Sequence, residues 1–307
     1  MKNAKLKMPL AFVFTTIICF TMSHSFAQRL QGSTSFGLSA YKGDLNETNS
    51  PFSQMSPDFS LGLSYELWQG IRARLNFSVL GVKGDDKYNS RQDLRDRNLN
   101  FKSTVWEAGA MLEFDLLNET NYRLIPYVFG GPGVFHFDPT TIDRNGKKVY
   151  LHDVGTEGQY LSGPYANLRR PGYQLTQLNL QFGAGLRYVI NENVSIAGEF
   201  SIRVLNTDYL DDVSQSKYID PSTFMDLGQY EAAILVYRGD ELPKPIPFSQ
   251  QMLHPRGNPS NKDMYYSFQI RANFSLNFLH IKKPWDYYYN DNGYKHNRSL
   301  RNPKYVL

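Results

Sequence analysis

The sequence is almost without cysteine. Cys19 is the one cysteine among 307 residues, and it lies in an apolar run close to the N-terminus. If that run is removed on export, the mature chain can form no disulfide, and thiol chemistry is excluded. Beyond the run, no segment has the 18 uninterrupted apolar residues typical of a membrane-spanning helix, and helical periodicity is scarce. The sequence therefore disfavours both a disulfide-stabilised fold and a helical membrane protein.

The N-terminus has the three parts of a secretory signal peptide. The chain begins with several lysines, residues 8–22 are mostly apolar, and Ser25 and Ala27 stand at the small-residue positions. We therefore expect a signal peptide over residues 1–27, with cleavage after Ala27. Export would also exclude nucleic acid as a normal partner.

Strict alternation of apolar and polar residues recurs in eight segments of about ten residues or more. The segments are RLQGSTSFGLSA, DFSLGLSYEL, IRARLNFSVLG, TVWEAGAMLEF, IPYVFGGPGVFHF, TQLNLQFGAGLRY, VSIAGEFSIRV and MYYSFQIRANFSLNF. Strands of this length fit a tilted crossing of a hydrocarbon layer, with apolar residues toward lipid and polar residues inside. The fifth segment, which contains Pro126 and Pro132, is the least regular. Its apolar set is Ile125, Tyr127, Phe129, Phe135 and Phe137.

A soluble sandwich or lipocalin-like barrel would also alternate. The polar positions here are mostly Ser, Asn, Gln and Gly, with occasional Arg and Glu, which suits a tight polar lumen. We expect charge pairs in this lumen among Glu66, Arg72, Arg74, Glu107, Glu113, Arg187, Glu199, Arg203 and Arg271. An eight-stranded barrel is only wide enough inside for side chains, so a solute channel is not expected.

The connections between the predicted strands alternate between short and long without exception. The long connections cover residues 41–56, 84–98, 138–173 and 206–263. Outer-membrane barrels have short periplasmic turns and long external loops. The pattern predicts an all-β fold: an eight-stranded antiparallel transmembrane β-barrel over residues 28–281. Its four long loops would be external, and its turns and both termini periplasmic.

The histidines do not form the pattern of a metal centre, because no pair has H-x-x-x-H spacing. GGPG (residues 130–133) lies inside a predicted strand and precedes no helix, so a phosphate site is not expected. His152 beside Asp153, and His136 near Asp138, lie close to the predicted outer rim, where a small barrel hydrolase would hold its catalytic groups. An outer-membrane hydrolase is therefore an alternative, but we predict no enzymatic activity, no cofactor and no small-molecule substrate.

Carboxylates gather where the predicted strands leave the membrane on the outer side. They are Asp44, Asp85, Asp86, Asp208, Asp211 and Asp212. The stretch TDYLDDVS (residues 207–214) lacks the D-x-[DN]-x-[DN]-G spacing of a calcium loop, and calcium needs six to eight oxygens. We expect an external acidic collar whose carboxylates pair with loop Lys and Arg or cap turns, with a bound structural cation as the alternative.

The chain continues beyond the last predicted strand. Residues 282–307 form a tail in which aromatic and basic residues alternate, notably Trp285, Tyr287, Tyr288, Tyr289, Tyr294, Arg298 and Arg301. Aromatic residues and arginine are the favoured anchors of protein interfaces. We expect a periplasmic tail that docks on a protein partner; a disordered extension is the alternative.

Several stretches together resemble the PorG-type outer-membrane β-barrels, a family associated with the type IX secretion system. They are AYKGDL (40–45), GDDK (84–87), RNLNFKS (97–103), IPYVFGGPGVFHFDP (125–139), VGTEGQ (154–159) and TDYLDDVS (207–214). The resemblance runs over about residues 28–278. It implies a non-enzymatic barrel, held in outer-membrane lipid, that anchors or contacts subunits of the machine that exports proteins and gliding adhesins in certain Gram-negative bacteria. A surface receptor or adhesin that uses the long loops, especially residues 231–259, is the alternative.

Overall fold

The structure is a computed structural model, and it describes residues 30–46 and 54–276. The predicted signal peptide (residues 1–27) and the predicted tail (residues 282–307), with all its candidate docking residues, lie outside the described residues. So do residues 277–281, the end of the predicted barrel.

Ten strands account for most of the described chain. They are β1 (Leu30–Lys42), β2 (Ser56–Trp68), β3 (Ile71–Asp85), β4 (Asn100–Asp115), β5 (Leu124–His136), β6 (Thr140–Ile142), β7 (Lys148–Tyr150), β8 (Thr176–Asn191), β9 (Val194–Leu205) and β10 (Met264–Ser275). Their pairing order is β3-β2-β1-β10-β9-β8-β5-β4, and the β3–β4 ladder closes the ring. All these pairings are antiparallel. The predicted closed eight-stranded barrel is confirmed.

The outer surface of the barrel is an apolar belt. Phe36 on β1, Leu178 on β8 and Ile270 on β10 are each more than 60% exposed, and other large apolar side chains face outward on all eight barrel strands. The residues between them point into the lumen and are mostly buried Ser, Asn, Gln, Arg and Glu. A continuous apolar surface of this kind is unfavourable in water and is the lipid-facing surface of a transmembrane barrel.

The strand β5 departs from the alternation predicted for it. Its aromatic positions point into the lumen and are buried, whereas Val128 and Val134 face outward. The inward residues are Ile125, Tyr127 and Phe129, with Phe135 and, just past the strand, Phe137. The neighbouring strand β8 has inward glycines, and a Cβ atom on Gly183 or Gly185 would lie 2.3 Å from the ring of Phe129 or Tyr127. The rings of β5 thus fill the space that these glycines leave.

The long connections all lie at one end of the barrel, and we call their described residues (43–46, 86–99, 137–175 and 206–263) the cap. It contains the hairpin β6–β7 and the short helices α1 (Gln92–Arg97), α2 (Leu151–Val154), α3 (Pro221–Asp226), α4 (Tyr230–Leu235) and α5 (Phe248–Gln251). Short 3₁₀-helices cover Asp86–Tyr88, Gly163–Leu168 and Gly239–Glu241. Among the helices of the described residues, none combines the length and apolarity needed to cross a membrane.

Two apolar clusters hold the cap in place. One continues the barrel interior, where Phe101 and Phe137 pack with Leu210 and Leu235 of the cap. The other lies within the cap around Phe224 and contains the residues Leu161, Ile219, Ala232, Ala233, Val236 and Tyr237. Each fully buried large side chain stabilises the fold by about 1.5–3 kcal/mol. The cap is therefore a packed layer over the long-loop end of the barrel.

Candidate functional site in the lumen and the cap

A network of arginines and carboxylates fills the lumen, with Glu113 at its centre. Its two carboxylate oxygens lie 3.0–3.4 Å from four guanidinium groups, those of Arg72, Arg74, Arg187 and Arg271. Every one of these side chains is almost fully buried. In a low-dielectric interior such charges are tolerated only when they are paired and hydrogen-bonded.

Glu199 and Glu107 extend the network toward the cap. Glu199 lies 2.7 Å from Arg74 and 3.0 Å from Arg271, and the Tyr127 hydroxyl donates to it at 2.6 Å. Glu107 pairs with Arg203 at 3.2 Å. It also accepts hydrogen bonds from Asn179 and Tyr265.

The short-turn end of the network differs from the sequence prediction. Glu66 stands opposite Arg72 in the β2–β3 register, but it is half-buried and reaches no described basic group within ion-pair distance. The register shifts between Glu66 and Trp68, and Arg72 instead pairs with Asp115 at 2.8 Å and Glu119 at 2.5 Å. These two carboxylates, at the end of β4 and in the turn after it, were not among the predicted lumen residues.

The predicted acidic collar divides into different environments, and most of it is buried inside the cap rather than open to solvent. Asp85 is half-buried and pairs with the exposed Lys87 at 2.8 Å. Asp86 is fully buried and accepts two hydrogen bonds from Arg97 at 2.7 and 2.8 Å. Burial raises the pKa of Asp86, and the Arg97 guanidinium opposes this rise.

Asp212 lies beside a second buried ion pair of the cap, which joins Arg256 and Glu157. It accepts hydrogen bonds from Thr156 at 2.6 Å and Tyr173 at 2.8 Å. Arg256 pairs with Glu157, and Glu157 also accepts hydrogen bonds from backbone amides in the segment after Asp212. Burial raises the pKa of Asp212 to about 6, although the charge of Arg256 lowers it.

Two further collar residues, Asp208 and Asp211, lie together with Asp263, which was not among the predicted collar residues, and we call these three the acid cluster. No described Lys or Arg lies within ion-pair distance of these three carboxyls. The Tyr41 hydroxyl lies 2.5 Å from Asp211 and 3.0 Å from Asp263. Since it has one proton, a hydrogen bond to both requires a carboxyl that is itself protonated.

The protonation of the acid cluster follows from its burial. Both carboxylate oxygens of Asp208 are buried without a hydrogen-bond partner in the described residues, and burial raises the pKa of Asp208 to about 7. Burial also raises the pKa values of Asp211 and Asp263, and these two carboxyls repel each other when charged. Asp44 lies close by and accepts a hydrogen bond from the Asn258 amide at 2.9 Å.

The described residues lack the side-chain arrangements that were expected for a metal site or for a hydrolase. Over residues 30–46 and 54–276, no three His, Cys, Asp or Glu side chains are arranged to hold a metal ion. His136 contacts Thr176 at 2.9 Å. His152 contacts the Tyr173 carbonyl at 3.0 Å and Asp153 at 3.5 Å. Neither histidine hydrogen-bonds to a described serine, so the convergence that a hydrolase requires is not present in this part of the chain.

A groove of about 540 Å³ opens on the surface of the cap. One wall is β7 with the residues around it, and the other is the segment 228–232 that leads into α4. Tyr150, Tyr160 and Tyr230 line it with exposures of 43%, 44% and 65%. Sequence patterns did not point to this groove, because its residues come from separate loops.

Comparisons with known proteins find one family model and several solved structures that are similar to this chain. Residues 11–160 match the family model described as "Domain of unknown function (DUF6089)". No curated protein matches.

Among solved structures, Neisserial surface protein A is 8% identical, with 82% of this chain and 99% of that chain covered and a TM-score of 0.41. Ail, the attachment invasion locus protein of Yersinia pestis, is 13% identical, with coverages of 80% and 98% and a TM-score of 0.35. The outer membrane protein OprG from Pseudomonas aeruginosa is 10% identical, with coverages of 80% and 93% and a TM-score of 0.34. The eight-stranded barrel itself is established by the strand pairing within this chain.

Proposed function

We propose that the protein is a non-enzymatic scaffold of the outer membrane that acts by binding other proteins. The filled lumen carries this proposal. Glu107, Glu113 and Glu199 are each fixed by buried arginines, and the cap packs over the long-loop end. A barrel built in this way is suited to holding a fixed shape in the membrane rather than to passing solutes.

The apolar belt and the loop lengths support an outer-membrane location with the cap outside the cell. The three short turns, around Gly70, at residues 116–123 and at residues 192–193, would face the periplasm together with both termini. A signal peptide over residues 1–27 would deliver the chain to that compartment.

The partners that we propose are periplasmic or outer-membrane subunits of the type IX secretion machinery, with a role in protein transport and gliding motility. Two sequence features support this proposal: the set of PorG-like motifs and the aromatic and basic tail. In this role the tail, residues 282–307, contacts periplasmic subunits while the barrel anchors them to the membrane.

Membrane fractionation followed by pull-down and mass spectrometry tests this role. Wild type should co-purify with type IX subunits from outer-membrane extracts, and replacing residues 283–307 with a Gly-Ser linker of equal length should release them. The matched control is Tyr230→Ala in the cap, which should leave co-purification unchanged. Absence of type IX subunits from the wild-type sample would overturn the assignment, and retention by the linker variant would overturn tail docking.

A surface receptor is the second candidate function, and the tyrosine-lined groove favours it. Three exposed tyrosines line this open groove, whereas most other aromatic side chains of the cap are buried or partly buried. Binding at the cell surface that disappears when the segment 231–259 is deleted, while the barrel still assembles, would support this candidate. Unchanged binding would count against it.

A further inference from the structure

Strand β7 has a free edge. Among the strands that the structure describes, it pairs only with β6, and it stands last in the order of the sheet. The Asp143 amide donates to Lys147, and the Leu151 amide donates to Pro139. In an antiparallel ladder hydrogen-bonded pairs alternate, so Val149 directs its backbone groups at Thr141.

The same alternation turns the other backbone groups of β7 away from the hairpin. The N–H and C=O groups of Lys148 and the N–H group of Tyr150 point to the free edge, whereas the Tyr150 carbonyl, at the N-cap of α2, accepts the first hydrogen bond of that helix. Two residues spaced i and i+2 thus present two donors and one acceptor in a row. This is the arrangement that an added β-strand recognises.

The groove lies along β7, because the residues of this strand line it. Residues 147–150 form one wall and residues 228–232 form the other. The Val149 side chain is buried in the apolar cluster that continues the barrel interior, whereas its neighbours Lys148 and Tyr150 are exposed. The exposed tyrosines offer apolar surface for alternate side chains of a guest strand.

The charges of the groove select among guest strands. Lys147 and Glu231 pair with each other across it. The Lys148 ammonium lies 4.8 Å from the centre of the Tyr150 ring and reaches no described carboxylate within ion-pair distance. A lysine on an edge strand repels cationic strands and favours an opposite charge on the cross-strand neighbour.

We propose that this groove binds an extended peptide by β-strand addition to β7. The guest carries an acidic residue opposite Lys148 and aromatic or aliphatic residues two positions away, in contact with the tyrosines. The inference specifies the ligand of the second candidate function, on which it rests, and it does not depend on the type IX assignment.

The test uses the full mature protein in lipid nanodiscs and a phage-displayed library of random 12-residue peptides. The strongest selected peptides are synthesised, and their affinities are measured by fluorescence anisotropy. We expect an acidic residue flanked two positions away by an aromatic or aliphatic residue. N-methylation of every second amide of the peptide should weaken binding at least tenfold, and methylation of the other set should change it little, because only one edge of the guest faces β7.

Tyr150→Pro and Tyr150→Ala separate the backbone from the ring. The φ angle of Tyr150 is −86°, close to the value that proline adopts, and in the register of the hairpin its amide points away from β6, so the hairpin tolerates the change. We expect a loss of about tenfold for Tyr150→Pro relative to Tyr150→Ala, because only proline removes the edge donor. Lys148→Glu should reverse the charge preference of the selected peptides.

Three results would overturn the proposal: no selected peptide binds the purified protein, both N-methylated sets bind alike, or Tyr150→Pro and Tyr150→Ala bind the peptide with equal affinity.

A parallel titration with maltoheptaose tests whether a sugar occupies the groove. Saccharide binding that is lost equally in Tyr150→Ala and Tyr230→Ala would assign the groove to glycans instead. If peptides fail to bind but cells still lose surface binding on deletion of residues 231–259, the receptor role stands without this site. If Tyr150→Pro does not fold, the N-methylated peptides decide the outcome on wild type.

Discussion

The lumen and the acid cluster of the cap bury carboxyl groups to a similar degree but compensate them differently. In the lumen, Glu113 alone is surrounded by four guanidinium groups. In the cap, Asp208, Asp211 and Asp263 reach no described Lys or Arg within ion-pair distance. A carboxyl paired with arginine remains ionised, whereas a buried carboxyl without such a partner takes up a proton.

The difference separates two kinds of stability. The lumen network keeps the barrel in one arrangement as long as every buried charge is paired. Removal of one partner is costly, because it leaves an unpaired buried charge. The acid cluster contributes stability that depends on pH, since burial raises the pKa values of its carboxyls in the folded cap above those in the unfolded chain. We therefore expect a rigid barrel beneath a cap whose stability varies with pH.

The largest effect should come from Glu113→Gln in the lumen. The change leaves four buried arginines around a neutral side chain, and we expect a loss of about 3–5 kcal/mol in the free energy of unfolding. Urea titration of the protein folded in lipid bilayers measures it. Glu119→Gln is the matched control, because Glu119 pairs with Arg72 near the surface and should contribute less than about 1 kcal/mol. Equal costs for the two variants would contradict the central role of Glu113.

A smaller, local effect should follow from Arg256→Met in the cap. The change leaves Glu157 and Asp212 buried without their guanidinium, at a cost of about 2–4 kcal/mol. Hydrogen exchange should show loss of protection over residues 206–263 while the barrel strands keep theirs. Arg144→Met, which removes an exposed pair with Asp240, is the control and should leave exchange unchanged. Loss of protection in the barrel would show that the cap and barrel unfold together.

The sequence predicts the barrel well because alternation is a local property of each strand. In seven of the barrel strands, the residues that face outward are those that the strand's own alternation predicts. Strand β5 is the exception, because Tyr127 and Phe129 fill the volume left by Gly183 and Gly185 on β8. An exchange of volume between two strands cannot be seen in either strand alone.

Pairing in the cap is less predictable because its partners are far apart in the chain. Asp86 and Arg97 are 11 residues apart, but Glu157 and Arg256 are 99 apart. The carboxyl of Asp263 completes the acid cluster, yet its position just before β10 resembles that of any loop residue. The type of residue in the collar could be predicted, whereas its burial and its division into separate clusters could not.

The pH dependence of the cap provides a third and more modest effect. The pKa values of Asp208 and Asp212 are raised to about 7 and about 6, against 3.8 in the unfolded chain. A carboxyl with a raised pKa favours the folded state most when it is protonated. Its contribution therefore falls as the pH rises from about 4, and it levels off above the folded-state pKa.

Protection of cap amides, corrected for intrinsic exchange, should thus be higher at pH 5 than at pH 8. Asp208→Asn should stabilise the cap at pH 8 by about 1–3 kcal/mol and flatten the pH profile, because the amide never ionises. Asp85→Asn serves as the control, since Asp85 has a cationic partner in Lys87. A cap that gains protection toward pH 8 would contradict the proposed protonation of the acid cluster.

The smallest loss in the free energy of unfolding should come from Lys87→Gln. This variant tests whether burial or proximity sets the contribution of an ion pair. Lys87 and Asp85 lie 2.8 Å apart, as close as the buried pairs, but the Lys87 side chain is 59% exposed. Water solvates both charges when they separate, so the pair should contribute less than about 0.5 kcal/mol. Unfolding of the variant in bilayers, at low and high salt, measures this contribution. A cost near that of Arg256→Met would mean that proximity alone, and not burial, sets the energies of the ion pairs around the cap.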